Sequence, residues 1–181
     1  MPHSSLIAPH IPYLRRYARA LTGSQRAGDD KVADTLRALL ANPDKFEKSL
    51  PPRIALYRVF HSVLPADTQP QGEERGMAGK AQERLSRLPP RSRQALLLTT
   101  IEGFTTDEAA RIMSSEWREV SKLVEQAREE IERQTRARIL VIEDETLIAM
   151  DLADIVSKLG HTVVATADTA SKAVAAAMTH K

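Results

Sequence analysis

The sequence predicts a mostly α-helical protein in two parts, a helical domain followed by a short alternating α/β segment. Three observations carry this reading. Apolar residues recur at helical spacing from about residue 9 to residue 135. A proline- and glycine-bearing stretch interrupts them at 65–79. At Ala137 the pattern changes to short β-branched runs separated by helices.

The helical elements follow in order. Residues 9–22 place Ile11, Leu14, Tyr17, Ala18 and Leu21 on one face, and Gly23 supplies a left-handed C-cap. A second helix at about 27–41 carries Val32, Leu36 and Leu39, with Asp29 and Asp30 near its positive end, and Asn42-Pro43 stops it. A third, 52–64, opens on proline and buries Ile54, Leu56, Tyr57, Phe60 and Leu64. The text PADTQPQGEERGMAG then reads as a linker. Helices resume at about 80–88 and 90–102, with Gly103 as a break. Thr105 or Thr106 caps a short helix reaching Met113, and Ser114-Ser115 form a turn. A long helix at about 116–135 has Val120, Val124, Ala127 and Ile131 as its core stripe.

After Ala137, the run Ile139-Leu140-Val141-Ile142 has the form of a strand buried on both faces of a parallel sheet. The residues EDE, a helix at about 146–159, a second strand at 162–166 and a helix at about 169–178 complete a β-α-β-α pattern. The domain organisation expected is therefore 1–64, a linker 65–79, 80–136, and 137–181.

Composition narrows the function. The 181 residues are 42% hydrophobic and 4% aromatic, and 26 Lys+Arg against 24 Asp+Glu leave a formal net charge of +2. That is not the strongly basic footprint of a dedicated nucleic-acid binder. The absence of cysteine excludes disulfides, thiolate metal sites and cysteine nucleophiles, and fits a reducing cytoplasm. The amino terminus has no signal-peptide pattern, and no apolar run approaches the ~18 residues of a membrane span. The five histidines show no metal-ligand spacing, Ser92 and Ser121 lack a nearby His/Asp arrangement, and no glycine-rich phosphate loop occurs. No catalytic residue is assigned.

The stretch LRRYARALTGSQRAGDDKVADTL (14–36) resembles the start of region two of extracytoplasmic-function sigma factors, and LPPRSRQALLLTTIEGFTTDEAARIM (88–113) resembles region four entering its helix-turn-helix. The departures from that family carry as much as the matches. Between residues 116 and 133, where a sigma factor reads DNA, stand six acids (Glu116, Glu119, Glu125, Glu129, Glu130, Glu132) against four bases (Arg118, Lys122, Arg128, Arg133). Each acid facing a phosphate opposes the counterion release that drives DNA binding. The region-two-like half ends at Pro65 with no base before Arg75, so its DNA-reading segment is missing too. A scaffold kept while both reading elements are lost suits a decoy.

The stretch RILVIEDETLIAMDLADIVSKLGHTVV (138–164) resembles the opening of a response-regulator receiver. That resemblance implies an acidic pair, Glu143 and Asp144, at the carboxyl edge of the sheet as ligands for Mg²⁺, a hard cation that takes carboxylate and water oxygens. The plain alternative is that Glu143–Glu145 simply begin a helix. The family's phosphoacceptor aspartate ends a third strand, which the 181 residues do not reach. No residue is assigned to that role, Mg²⁺ binding is expected to be weak, and the chain is expected to be a piece of a longer protein. The unfinished sheet edge is expected to offer pairing with a second molecule.

A sigma-like domain followed by a receiver resembles the PhyR family of general stress response regulators. The resemblance implies a sigma-factor mimic that binds an anti-sigma factor of the NepR type when its receiver is phosphorylated by an upstream histidine kinase or phosphotransfer protein. It implies no specific DNA binding and no membrane. The alternative is a DNA-binding sigma factor or regulator with a fused receiver; a metal-dependent phosphotransfer enzyme finds no catalytic constellation. Trp117, Val120 and Leu123 on the former reading helix are the candidate partner-binding residues, with Trp117 placed either as an anchor or at the margin of its own helix's apolar stripe.

Overall fold

The computed structural model describes residues 4–65, 68–70 and 76–180. The chain divides into two compact units, Met1–Glu130 and Ile131–Lys181.

Among the described residues, the regular structure of the first unit is helical. A short helix α1 (Ser4–Ile7) and a 3₁₀ turn (Ala8–His10) precede α2 (Ile11–Thr22), so helical structure begins earlier than the sequence predicts, with Ile7 buried. The predicted stripe of α2 is its buried face: Leu14, Tyr17, Ala18 and Leu21 are 0% exposed. Gly23 takes the left-handed C-cap at φ 79°, its N–H donating to the Arg19 carbonyl at 2.8 Å. Ser24 caps α3 (Gln25–Ala41) by accepting from Ala27 N–H at 3.1 Å. The antiparallel step between the helices is held outside by a bidentate Arg15–Asp29 pair at 2.7 Å. α4 (Pro52–Val63) buries Ile54, Leu56, Tyr57 and Phe60 as predicted. Their rings close on α2, with centroids 5.5 Å apart for Tyr17–Tyr57 and 5.7 Å for Tyr17–Phe60.

The predicted linker is shorter than 65–79, because α5 (Gly76–Ser86) begins three residues before Gly79 rather than at Lys80. Gly76 and Gly79 mark breaks by composition, yet the helical alternative holds them. The rest of the linker, 66–67 and 71–75, lies outside the described residues. Its described piece is tied down by Arg93, which donates to the carbonyls of Thr68 and Leu85. Arg93 belongs to α6 (Pro90–Thr100), a helix enclosed on most sides: Leu97, Leu98, Ala95 and Arg93 are all within 1% of full burial. Burial pushes the Arg93 guanidinium below its ordinary pKa.

α7 (Thr106–Met113) opens on a full capping box, Thr105 Oγ accepting from Glu108 N–H at 3.2 Å and the Glu108 carboxylate accepting from Thr105 N–H at 2.9 Å. Ser114 turns the chain at φ 51° into α8 (Trp117–Thr135).

The second unit pairs β1 (Arg138–Ile142) with β2 (Thr162–Ala167) in parallel, Arg138 opposite Thr162 and Ile142 opposite Ala167. α9 (Thr146–Lys158) and α10 (Ala170–Thr179) pack on both strands. The expectation of a strand buried on both faces does not hold here: in β1 only Val141 is buried and Ile142 is 59% exposed. Two strands and two helices do not make enough surface to cover both faces of either strand.

Candidate partner-binding surface

The helix-turn-helix of α7 and α8 is positioned by its turn. Ser115 N–H donates to the Ala110 carbonyl at 3.0 Å, and Arg91 of α6 reaches across to Ser115 Oγ at 2.5 Å and to Glu119 at 3.1 Å. α6 thus fixes where α8 begins.

On α8 the three candidate residues separate. Trp117 is 53% exposed at the helix's amino end, with the Arg118 guanidinium 5.3 Å from its ring centroid. Leu123 is half-buried. Val120 is 0% exposed, as is Ala127, so it lies beneath the helix surface between the two other candidates. The position three residues from both Trp117 and Leu123 faces inward here, in line with the predicted core stripe. Glu116, Glu119, Glu125, Glu129 and Glu132 are all exposed. Arg118, Lys122, Arg128 and Arg133 are exposed as well, so the solvent face of this segment is mixed in charge with a slight excess of acid.

Sequence reasoning missed a second feature, at the seam between α2–α4 and α6–α7. The Glu102 carboxylate is fully buried there, and Arg16, Arg53 and Tyr57 all donate to it, the shortest bond being 2.7 Å from Tyr57. Burial, and then the carboxylate beside it, hold the Tyr57 phenol far above its ordinary pKa. The partners are 45 to 86 residues apart, and no local pattern marks a single acid between Ile101 and Gly103.

Glu143 and Asp144 directly follow β1. Glu143 N–H continues the ladder to the Ala167 carbonyl at 2.9 Å, while its carboxylate accepts from Glu145 N–H at 3.1 Å. Asp144 is exposed. Carboxylate oxygens are the right donors for Mg²⁺, but two are too few for a closed cation site, and among the described residues no group of three His, Asp or Glu comes together to hold a metal. Also among the described residues, no helix is long and apolar enough to cross a membrane.

These features define the class: a sigma-factor-like helical unit followed by the β-α-β-α opening of a receiver. The family follows from comparison with known proteins. Residues 7–61 match the model of the Sigma2 domain of PhyR, and residues 85–134 match that of the sigma-like domain of the response regulator PhyR. The chain belongs to the PhyR family. It is 41% identical over 175 residues to the phyllosphere-induced regulator PhyR of Methylorubrum extorquens, covering 96% of this chain and 66% of that protein. It therefore spans just under two thirds of that regulator's length. Among solved structures, the anti-anti-sigma factor PhyR of Bartonella quintana, in complex with the anti-sigma factor NepR, matches at a TM-score of 0.84 and 41% identity, over 98% of this chain and 68% of that one. The PhyRSL–NepR complex of Sphingomonas sp. Fr1 matches at a TM-score of 0.63 and 44% identity, over 74% of this chain and 88% of that one.

Proposed function

We propose that this chain is an anti-anti-sigma factor: its helical unit occupies an anti-sigma factor of the NepR type in place of a sigma factor, and so releases the sigma factor to direct a stress response. The observation that carries this reading is a sigma-like helix-turn-helix, opened by a full capping box on α7, whose stretch 116–133 exposes five acids against four bases where a promoter reader is predominantly basic. Trp117 and Leu123 form part of the contact, with Trp117 as the anchor because an exposed indole at a helix end buries large area at little entropic expense. The relatives of B. quintana and Sphingomonas sp. Fr1 that are complexed with NepR support the same partner.

Control rests with the receiver segment. Glu143 and Asp144 bind Mg²⁺ weakly and contribute part of the acidic site of a receiver that a histidine kinase or phosphotransfer protein phosphorylates. The protein works by binding, without catalysis of its own, in the cytoplasm. Titration calorimetry against a NepR-type protein tests the central claim, with saturable one-to-one binding as the expected result. Sequence-specific retardation of promoter DNA at physiological salt, without binding to the anti-sigma protein, would instead establish the DNA-binding alternative.

A further inference from the structure

Glu102 stands in the turn between α6 and α7, and its side chain is 0% exposed. Its donors Arg16, Arg53 and Tyr57 come from the other half of the helical unit. Arg16 of α2 donates from Nε to Oε1 at 3.1 Å and from its terminal nitrogen to the Ile101 carbonyl at 3.1 Å. Arg53 of α4 donates to Oε2 at 3.0 Å and to the Glu102 carbonyl at 2.6 Å. Tyr57, also of α4, donates to Oε2 at 2.7 Å. The Arg53 guanidinium lies 4.2 Å from the centroid of Phe104, and Tyr13 lies 5.4 Å from Arg16 and 5.7 Å from Arg53.

Both halves contribute apolar residues to the buried interior, and the seam itself holds the Tyr57–Phe104 ring contact at 5.0 Å. Leu14, Leu21, Leu56 and Phe60 belong to the first, and Leu88, Leu97, Ile112 and Val120 to the second. Apolar contact between helices tolerates small slides, whereas a desolvated carboxylate meeting two planar guanidiniums and a phenol is satisfied in one arrangement only. Buried ionic groups add little net stability, and their best-attested use is to select one register over its neighbours.

We propose that Glu102 is a positioning residue that locks the region-two-like and region-four-like halves in a single relative arrangement, so that a partner gripping both halves meets a preset surface. Its consequence for binding rests on the anti-sigma reading; its consequence for geometry does not. Without the lock, each half stays folded but the pair samples several arrangements, and a partner selects the competent fraction. If that fraction falls to a tenth, affinity falls about tenfold with no contact residue changed.

The chain has no cysteine, so Arg37→Cys on α3 and Lys122→Cys on α8, both exposed, accept a single pair of spin labels. Pulsed electron resonance should give one narrow distance distribution in the labelled parent and a broad one in Glu102→Ala, with helical circular dichroism retained. Glu102→Gln, which keeps one acceptor oxygen, should restore part of the narrowing. Arg16→Gln, at a side chain 52% exposed, is the milder probe and should broaden the distribution even if Glu102→Ala does not fold. A narrow, unshifted distribution in the folded variants overturns the proposal, whatever happens to binding. Calorimetry with the NepR-type protein is the second arm: broadening with about a tenfold weaker complex supports the proposal, and broadening with unchanged affinity refutes its link to the partner. No binding by the parent would sink the anti-sigma reading while leaving the distance measurement to judge the lock.

Discussion

At Gly28 the backbone of α3 packs tightly against that of α2. A Cβ there would stand 2.7 Å from Arg19 N and 3.0 Å from the Ala18 carbonyl carbon, both backbone atoms that cannot swing aside. Gly28→Ala should push the helices apart and destabilise the unit by about 1–3 kcal/mol, the usual result of overpacking, despite alanine's better helix propensity. Chemical denaturation would show it as a lower midpoint; a stabilised variant would mean that the two helices yield to the added methyl group without cost. His61 makes a different kind of prediction. Its ring stacks on Tyr17, whose hydroxyl lies 2.9 Å from Nε2, and burial lowers its pKa from 6.5 to about 4. Between those values the unfolded chain binds a proton that the folded chain refuses, so stability must fall as pH drops from 6.5 toward 4. The full shift corresponds to roughly 3 kcal/mol, and because the ring keeps some solvent access about 2 kcal/mol is a fair expectation. His61→Phe should flatten that part of the stability–pH curve; an unchanged curve would assign the acid sensitivity elsewhere. Neither residue stood out in the sequence. A glycine within a helix and a histidine at a helix end have common explanations, and what distinguishes these two is the backbone or ring that arrives from another helix.

The elements were legible wherever their ends are fixed locally. Gly23, Pro52, Pro90 and Thr105 each set a boundary through their own backbone or side chain, and the structure places helix ends at all four. Boundaries that depend on packing were harder: α5 runs through two glycines that read as linker, and β1 lacks the cover that its β-branched run suggests. α8 lies between these cases. Its inward stripe is evident from spacing, and Val120 within it is fully buried while Trp117 beside it is half exposed, a difference that spacing alone does not give. The distinction can be tested on one helix. Trp117→Asp together with Leu123→Glu should weaken the complex with a NepR-type protein by about tenfold or more, as loss of a central aromatic anchor does, with little change in Tm. Val120→Ala should cost about 1–3 kcal/mol of stability with affinity nearly unchanged at temperatures where the unit is folded. Calorimetry and thermal unfolding of both variants would separate the roles, and the reverse pattern would place the partner on another face.

At the scale of the molecule, the two units differ in how much apolar surface each has removed from water. The first holds Tyr17, Tyr57, Phe60, Leu97, Leu98 and Ile112 at 1% exposure or less, spread over α2, α4, α6 and α7. In the second the buried hydrophobic residues are Val141, Ala149, Ala167 and Ala173, while Leu147 is 77% exposed, Met150 64%, Ile155 52%, Val174 62% and Met178 67%. Three alanines and a valine cannot stabilise a two-stranded sheet strongly, since a fully buried valine or leucine is worth about 1.5–3 kcal/mol and an alanine much less. Amide exchange reports this difference directly, because protection follows the free energy of the opening that exposes each bond. In this chain the amides of Leu140–Ile142 and Val164–Thr166 should exchange at least about a hundredfold faster than those of Leu96–Leu98, a gap of roughly 3 kcal/mol in opening free energy. Heating should show the same order, with the second unit losing structure before the first. Removing residues 138–181 should then leave the main unfolding transition within about 3 °C of its original position, because the units unfold separately. Equal protection in the two units of a monomeric sample would show that the exposed apolar face of the second is covered after all, and a large fall in Tm on deletion would show that the helical unit draws on it for stability.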